Sequence, residues 1–267
     1  RLQTVSGYTR FVNYGAHVLD YVPAGHKPVL WVSKDAIFES GKAIRGGIPI
    51  IWPWFGAHPN DTGKSSHGIG RRLAWDLLES RDDYAKLQLP LGEQGHSDVD
   101  GQVRVTLEVN LGSELVVSLT TENLGAESFW MTAALHSYFS VSDVRQIQIG
   151  GLDGRTYIDQ LDGNQRKQQV GAISIDQEVD RIYVATSDTV EIHDPAWERV
   201  IAIAKSGSMS TVVWNPWIDK SKQMSDFGNE EYLGMVCVET GNVADDARSL
   251  APGESHTLTT KISVRAV

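Results

Sequence analysis

Cysteine is nearly absent from this chain, and the one present, Cys237, cannot form an intramolecular disulfide. A reducing, cytoplasmic setting is therefore expected. Long apolar runs are missing too: none approaches the ~20 residues that a bilayer-spanning helix needs, and no segment reads as a signal peptide, so no membrane is expected as a partner. The sequence opens abruptly at Arg1 and is read as lacking its true N-terminal residues. Positive charge is scarce, with 24 Lys and Arg against 34 Asp and Glu and a net charge of −10. That balance argues against nucleic-acid binding, which relies on basic surface. It leaves room for an anion held by a local arginine pair at short range.

Motifs for cofactors are equally thin. Eight histidines (His17, His26, His58, His67, His96, His136, His193 and His256) are scattered singly, with no H-x-H, H-E-x-x-H or C-x-x-C pattern, so no dedicated metal site is expected. Gly68 and Gly70 begin a G-x-G, but Leu73 stands where a dinucleotide fingerprint needs its third glycine. Asp153–Gly163 lacks the ligand spacing of a calcium loop and reads as two Asp-Gly turns around a strand. There is no G-x-S-x-G nucleophile elbow. The expectation is a chain without a cofactor.

What the sequence does have is alternation with period two. Val103–Val109 reads as a half-buried strand, and Leu115–Thr120 as its neighbour across a turn at Gly112. Short runs of the same kind recur at Gln146–Ile149, Thr156–Leu161, Val190–His193, Val200–Ala204, Thr211–Trp214, Leu233–Val238 and His256–Arg265. Turn formers such as Asp162-Gly163 and Pro252-Gly253 separate them. Arg72–Arg81 fits a short helix or a strand equally well, and no amphipathic helix of three turns is convincing. With 267 residues, 41% hydrophobic, no linker-like stretch and no clear repeat, residues 1–267 read as one all-β domain, a large sandwich or barrel.

Five places are candidates for chemistry. Arg45-Gly-Gly-Ile-Pro-Ile-Ile-Trp-Pro-Trp-Phe-Gly56, with His67-Gly-Ile-Gly-Arg71-Arg72 after it, sets cations and a histidine among glycines, prolines and aromatics. Paired glycines permit close backbone approach to a ligand, the prolines predict rigid extended structure, and two guanidiniums suit an oxyanion such as phosphate. The flat rings suit a sugar face. In Met131–Ser140, read as one strand, alternation puts Ala134, His136 and Tyr138 on one face and Ser137 on the other. His136 thus either faces a ligand or is a buried histidine satisfied by a backbone carbonyl. In Met235-Val-Cys-Val-Glu239, Glu239 is either a carboxylate tuned upward by burial, as a general base requires, or a solvated residue at the turn before Gly241. Cys237 reads as a small buried hydrophobe. By pattern alone Asp180 is a solvated turn residue or cap, and the tryptophans of Trp214-Asn-Pro-Trp217 pack the sandwich edge rather than stack on a sugar.

Taken together, these pieces resemble the aldose 1-epimerase superfamily, and within it the hexose-6-phosphate mutarotase (glucose-6-phosphate 1-epimerase) branch. The matching motifs are R-G-G-I-P at Arg45, H-G-x-x-R at His67 to Arg71, L-H-x-Y-F around His136, V-D-R-I-Y around Asp180, W-N-P-W at Trp214, D-F-G-N-E-E-Y at Asp226 and M-V-C-V-E ending at Glu239. They stand in family order over roughly residues 40 to 242. The resemblance implies a galactose-mutarotase-like sandwich with a sugar cleft on one sheet. It implies His136 as general acid, Glu239 as general base, Arg45 and Arg71 on substrate and phosphate, Asp180 on sugar hydroxyls, and His67 lining the pocket. Ser66 departs from relatives that carry a glutamine there. The implied reaction exchanges α and β anomers of a hexose 6-phosphate, foremost D-glucose 6-phosphate, by ring opening and reclosure. Such an enzyme is expected to act as a monomer on a small sugar phosphate. Competing readings are a mutarotase for unphosphorylated aldoses, a non-catalytic sugar-binding or sensing domain, and, ranked lowest, a glycosidase using Glu239 with Asp180.

Overall fold

Two antiparallel sheets of eight strands each form the body of the molecule. The computed structural model describes residues 1–91, 99 and 102–267; His96 lies outside the described residues. One sheet runs in the order Gln148–Gly150, Val190–Asp194, Arg199–Ser206, Ser255–Ala266, Leu115–Asn123, Val103–Leu111, Tyr84–Gln88 and Asp76–Ser80. The other runs Gln165–Gln168, Thr156–Asp159, Val179–Tyr183, Ser210–Asn215, Met235–Asn242, Ala133–Leu135 and Ile50–Ile51, with Tyr138–Ser140 also paired to Met235–Asn242. A three-stranded sheet at Leu2–Thr4, Gly7–Val12 and His17–Pro23, and the pair Phe129–Met131 with Arg248–Leu250, complete the strands among the described residues.

The expected hairpin is present, with Val103 opposite Asn123 and Leu111 opposite Leu115. Alternation then decides which side chains meet. Val105, Leu107, Val117 and Leu119 from one sheet share the main core with Leu135, Val213, Val236 and Val238 from the other. The intervening residues of the second sheet must face the opposite way. These include Ala134 and Val212 in one apolar cluster and Tyr138, Met235 and Cys237 in another. Met235–Asn242 is buried at every position, so both of its faces are covered. One covers the sandwich core; the other floors a cavity.

Of the two readings open for Arg72–Arg81 the strand holds: after a 3-10 turn at Gly70–Arg72 comes the edge strand Asp76–Ser80. Two local readings need correction. Met131–Ser140 is not one strand, since pairing breaks at His136 and Ser137 between Ala133–Leu135 and Tyr138–Ser140. Leu233 and Gly234 belong to the 3-10 turn Glu231–Gly234 rather than to the strand that follows. Among the described residues the α-helix is a single seven-residue piece, Trp217–Gln223, too short to cross a membrane.

Candidate active site

Strand register builds the site. Leu135 lies opposite Thr240, and Tyr138 lies opposite Cys237. Continuing that register across the break sets His136 opposite Glu239. Cross-strand neighbours have Cβ atoms ~4.5–5.5 Å apart, so the two side chains meet: Nε2 of His136 is 3.2 Å from Oε1 of Glu239. The break itself is held from the far side, where the His136 backbone N–H donates to the Pro49 carbonyl at 3.1 Å. Both residues are buried, with His136 8% and Glu239 1% exposed. Glu239 therefore has not left the sheet for a solvated turn. His136 is not the backbone-satisfied histidine of the alternative reading, because its Nδ1 has no hydrogen-bond partner among the described residues. Oε2 of Glu239 has none either. Buried polar atoms left unpaired are costly, and they mark where a ligand's polar groups belong.

The pair opens on a cavity of about 740 Å³, whose lining includes Arg45, His67, Arg71, Asp180 and Trp214. All six residues expected at a site thus share one cavity. Asp180, read by pattern as a solvated turn residue, is instead half-buried on the strand Val179–Tyr183, where Gln160 holds it with a short side-chain hydrogen bond. The gap in the pattern was its pairing with Ser210–Asn215, which turns Asp180 onto the cavity face beside Trp214. Trp214 likewise lines the cavity, whereas Trp217 packs on Tyr232 with ring centroids 5.2 Å apart.

The aromatic segment after Arg45 behaves differently from its sequence reading. Trp52 and Trp54 are buried, Trp52 in the main core, and of the run Trp52–Phe55 only Phe55 lines the cavity. The glycine pair serves the chain's own backbone rather than a ligand. Gly46 and Gly47 have φ of 114° and 61°, and a Cβ on them would lie 2.4 Å from the Trp31 carbonyl oxygen and 2.2 Å from that of Val18. This close crossing points the Arg45 side chain into the cavity.

The cations are not equivalent. Arg45 donates Nε and Nη2 to the two carboxylate oxygens of Asp226, each at 3.2 Å, and Nη1 to the Tyr138 hydroxyl at 3.0 Å. Burial acts to lower its pKa, but Tyr138 and Asp226 outweigh burial and hold it above its ordinary value. Arg71 donates Nη2 to the Ser66 carbonyl at 3.2 Å, while its Nε is buried and unpartnered among the described residues. Burial, with help from Arg45 and Arg72, brings the Arg71 pKa down to about 10. Ser66 thus contributes its backbone. Asp226 and Tyr138 were missed as parts of the site, although Tyr138 already shares the His136 face by alternation.

Electrostatics set the protonation. Burial, then the positive charges of its neighbours, pushes His136 well below its ordinary value, so the imidazole rests neutral near pH 7. Burial, then the nearby Asp180 charge, raises Glu239 well above the usual carboxylate range, with Arg71 opposing. Asp180 is raised to about 6, chiefly by burial. His67 is lowered to about 3 by burial and then by Arg71 and Arg45. Its Nδ1 accepts the Gly56 backbone N–H at 3.2 Å, which leaves the ring proton on Nε2 as a neutral donor. The Tyr138 ring stacks on His136 at 4.8 Å and 12° and fixes its plane. A carboxyl and an imidazole in contact, with raised and lowered proton affinities, can share one proton and act as an acid/base pair.

Known proteins resemble this chain over most of its length. The sequence profile of the family described as "Aldose 1-epimerase" matches residues 6–263. A protein of Cenchrus ciliaris named "Putative glucose-6-phosphate 1-epimerase" is 35% identical over 260 residues, covering 90% of this chain and 76% of that protein. One of the same name from Escherichia coli K12 is 31% identical over 253 residues, covering 92% of this chain and 83% of its own. The crystal structure of a mutarotase, so described with the qualifier "putative", from Salmonella typhimurium superimposes with a TM-score of 0.90 at 29% identity, over 98% of this chain and 88% of that one. With the profile spanning nearly its full length and these identities over most of its residues, the chain belongs to the aldose 1-epimerase family.

Proposed function

We propose that this protein exchanges the α and β anomers of a hexose 6-phosphate, with D-glucose 6-phosphate its foremost substrate. The observation that carries the reading is the buried His136–Glu239 contact of 3.2 Å at the floor of a cavity that also holds Arg45 and Arg71. Anomer exchange moves two protons, one from the C1 hydroxyl and one to the ring oxygen. Both oxygens are bonded to C1, so an acid and a base that serve them must be neighbours. A pair sharing one proton meets that demand. Once the shared proton has passed from Glu239 to His136 across their 3.2 Å contact, Glu239 removes the hydroxyl proton while His136 protonates the ring oxygen, and the hemiacetal opens to the aldehyde. Rotation about C1–C2 and reclosure with the roles exchanged gives the other anomer. Each positioned transfer contributes about 10²–10⁴-fold. No step calls for a metal or nucleotide.

Substrate placement falls to the other four. Arg71, with its unpartnered Nε, grips the phosphate; Arg45 adds charge and the N–H groups that Asp226 and Tyr138 leave free. A guanidinium has five N–H donors, so this contact leaves Arg45 a partial role. Asp180 takes sugar hydroxyls, and His67 offers its Nε2–H near the ring. The relatives' names agree with a phosphorylated sugar. A second reading, a mutarotase for free aldoses, draws on one observation: Asp226 already occupies the fork of Arg45.

Exchange NMR on glucose 6-phosphate and on glucose tests both. The expected result is faster α/β exchange for the phosphate ester, lost in His136→Ala. Equal acceleration of the two sugars would remove the phosphate from the proposal, and no acceleration of either would remove the reaction.

A further inference from the structure

Beneath the acid/base pair sits the chain's one cysteine. The ligand atoms of His136, Cys237 and Glu239 all lie within 4.8 Å of one another, and all three residues are buried. Cys237 and Glu239 share a strand face at spacing two, while His136 comes from the break between the two strands paired beside it, so no linear motif announces the group. Cys237 plays no part in the proton transfers above. From zinc–ligand bond lengths of about 2.3 Å to sulfur and 2.0–2.2 Å to nitrogen and oxygen, tetrahedral ligands stand roughly 3.3–3.6 Å apart. The His136–Glu239 contact, at 3.2 Å, is close to that value, and the Cys237 thiol lies within 4.8 Å of both other ligand atoms, at most roughly 1 Å beyond it.

We propose that His136, Cys237 and Glu239 form a binding site for a thiophilic divalent cation such as Zn²⁺, and that the cation and the sugar exclude each other. Two further observations point to a ligand here. Oε2 of Glu239 and Nδ1 of His136 are buried without hydrogen-bond partners among the described residues, so a carboxylate oxygen is free to turn toward a cation. His136 and Glu239 line the cavity, which supplies the entry route and the fourth coordination position. Of the neighbouring charges, Asp180 favours a cation and Arg71 opposes it; Arg45 is largely neutralised by Asp226. Binding replaces the S–H bond of Cys237 with a metal–sulfur bond and releases that proton to water. The ligands are soft sulfur, borderline imidazole and one carboxylate, a set that suits zinc and cobalt over magnesium or calcium. Because a proton leaves, affinity should rise about tenfold per pH unit, or more steeply where Glu239 also gives one up.

Cobalt(II) added to the sugar-free protein gives a readout independent of catalysis. Expected is one equivalent bound with a near-ultraviolet thiolate-to-cobalt charge-transfer band, bleached by Zn²⁺. Since the chain has one cysteine, that band in the wild type reports Cys237 itself. Cys237→Ser should lose the band and bind at least tenfold more weakly. Absence of the band from the wild type, or its survival in Cys237→Ser, would overturn the site. Adding glucose 6-phosphate should bleach the band as well; an unchanged band under saturating sugar would overturn mutual exclusion. A bound cobalt with no anomer exchange by the metal-free protein would leave the site standing and remove the anomerase reading.

Discussion

Glu239→Gln keeps the volume of the side chain and its contact with His136 while removing the carboxylate, and it should move activity and stability in opposite directions. Loss of one positioned proton transfer should lower the exchange rate by about 10²–10⁴-fold. Stability follows from burial. Glu239 is 1% exposed, and burial holds its pKa well above the ordinary 4.5, so the folded protein retains a proton that the unfolded chain releases. The stability this residue contributes is fully present below about pH 4.5 and is lost as pH rises toward the folded value, at about 1.4 kcal/mol per pH unit. Glutamine does not titrate. The variant should therefore gain on wild type by that slope from pH 4.5 upward until the folded value is passed. In a domain of this size each kcal/mol is worth roughly 2–4 °C in Tm. Urea unfolding of both proteins from pH 4.5 to 8, beside exchange NMR on the same samples, reads both effects. A constant offset between the two stability curves would refute the burial argument, and a fully active variant would refute the base.

Three further outcomes are expected. His17, lowered to about 4 by burial, His67, lowered to about 3, and His136 are neutral when folded. Their stabilising contribution is present above pH 6.5 and lost as pH falls toward the folded values, each at about 1.4 kcal/mol per unit. His17→Gln should make the acid limb of the unfolding curve shallower by one proton, and an unchanged slope would show that His17 charges in place. Arg71→Gln should raise KM for glucose 6-phosphate roughly 10–100-fold, from the ~1.5–3 kcal/mol of a hydrogen bond to charge, with little change for glucose; an equal effect on both sugars would argue against a phosphate contact. Asp180→Asn removes the charge that helps raise Glu239, so the acid limb of the kcat/KM profile should move to lower pH. An unmoved limb would place its base elsewhere.

Strand alternation carried most of what the sequence could say. It separated the core face of Met235–Asn242 from its cavity face, and put His136 with Tyr138 and Glu239 with Cys237. It could not say that these two faces are one face, because that depends on the register between strands a hundred residues apart. For the same reason the Cys237 thiol is seen near His136 only in three dimensions. Asp180 was misjudged because aspartate usually marks turns, and only its cross-strand partner Trp214 reveals a buried setting. The tryptophans after Arg45 were misread in the other direction: rigid, ring-rich backbone looks the same in sequence whether its rings fill a core or floor a cleft. The Arg45–Asp226 ion pair joins residues far apart in the chain, and only the motif resemblance had drawn attention to both.

The two-proton exchange at His136 and Glu239 is tested most directly by exchange NMR of the anomeric protons of glucose 6-phosphate, with the wild-type protein at catalytic concentration. Cross-peaks between the α and β resonances should grow in proportion to enzyme and be lost when Glu239→Gln replaces it. An exchange rate identical with and without the wild-type protein would contradict the assignment of the buried pair to this reaction.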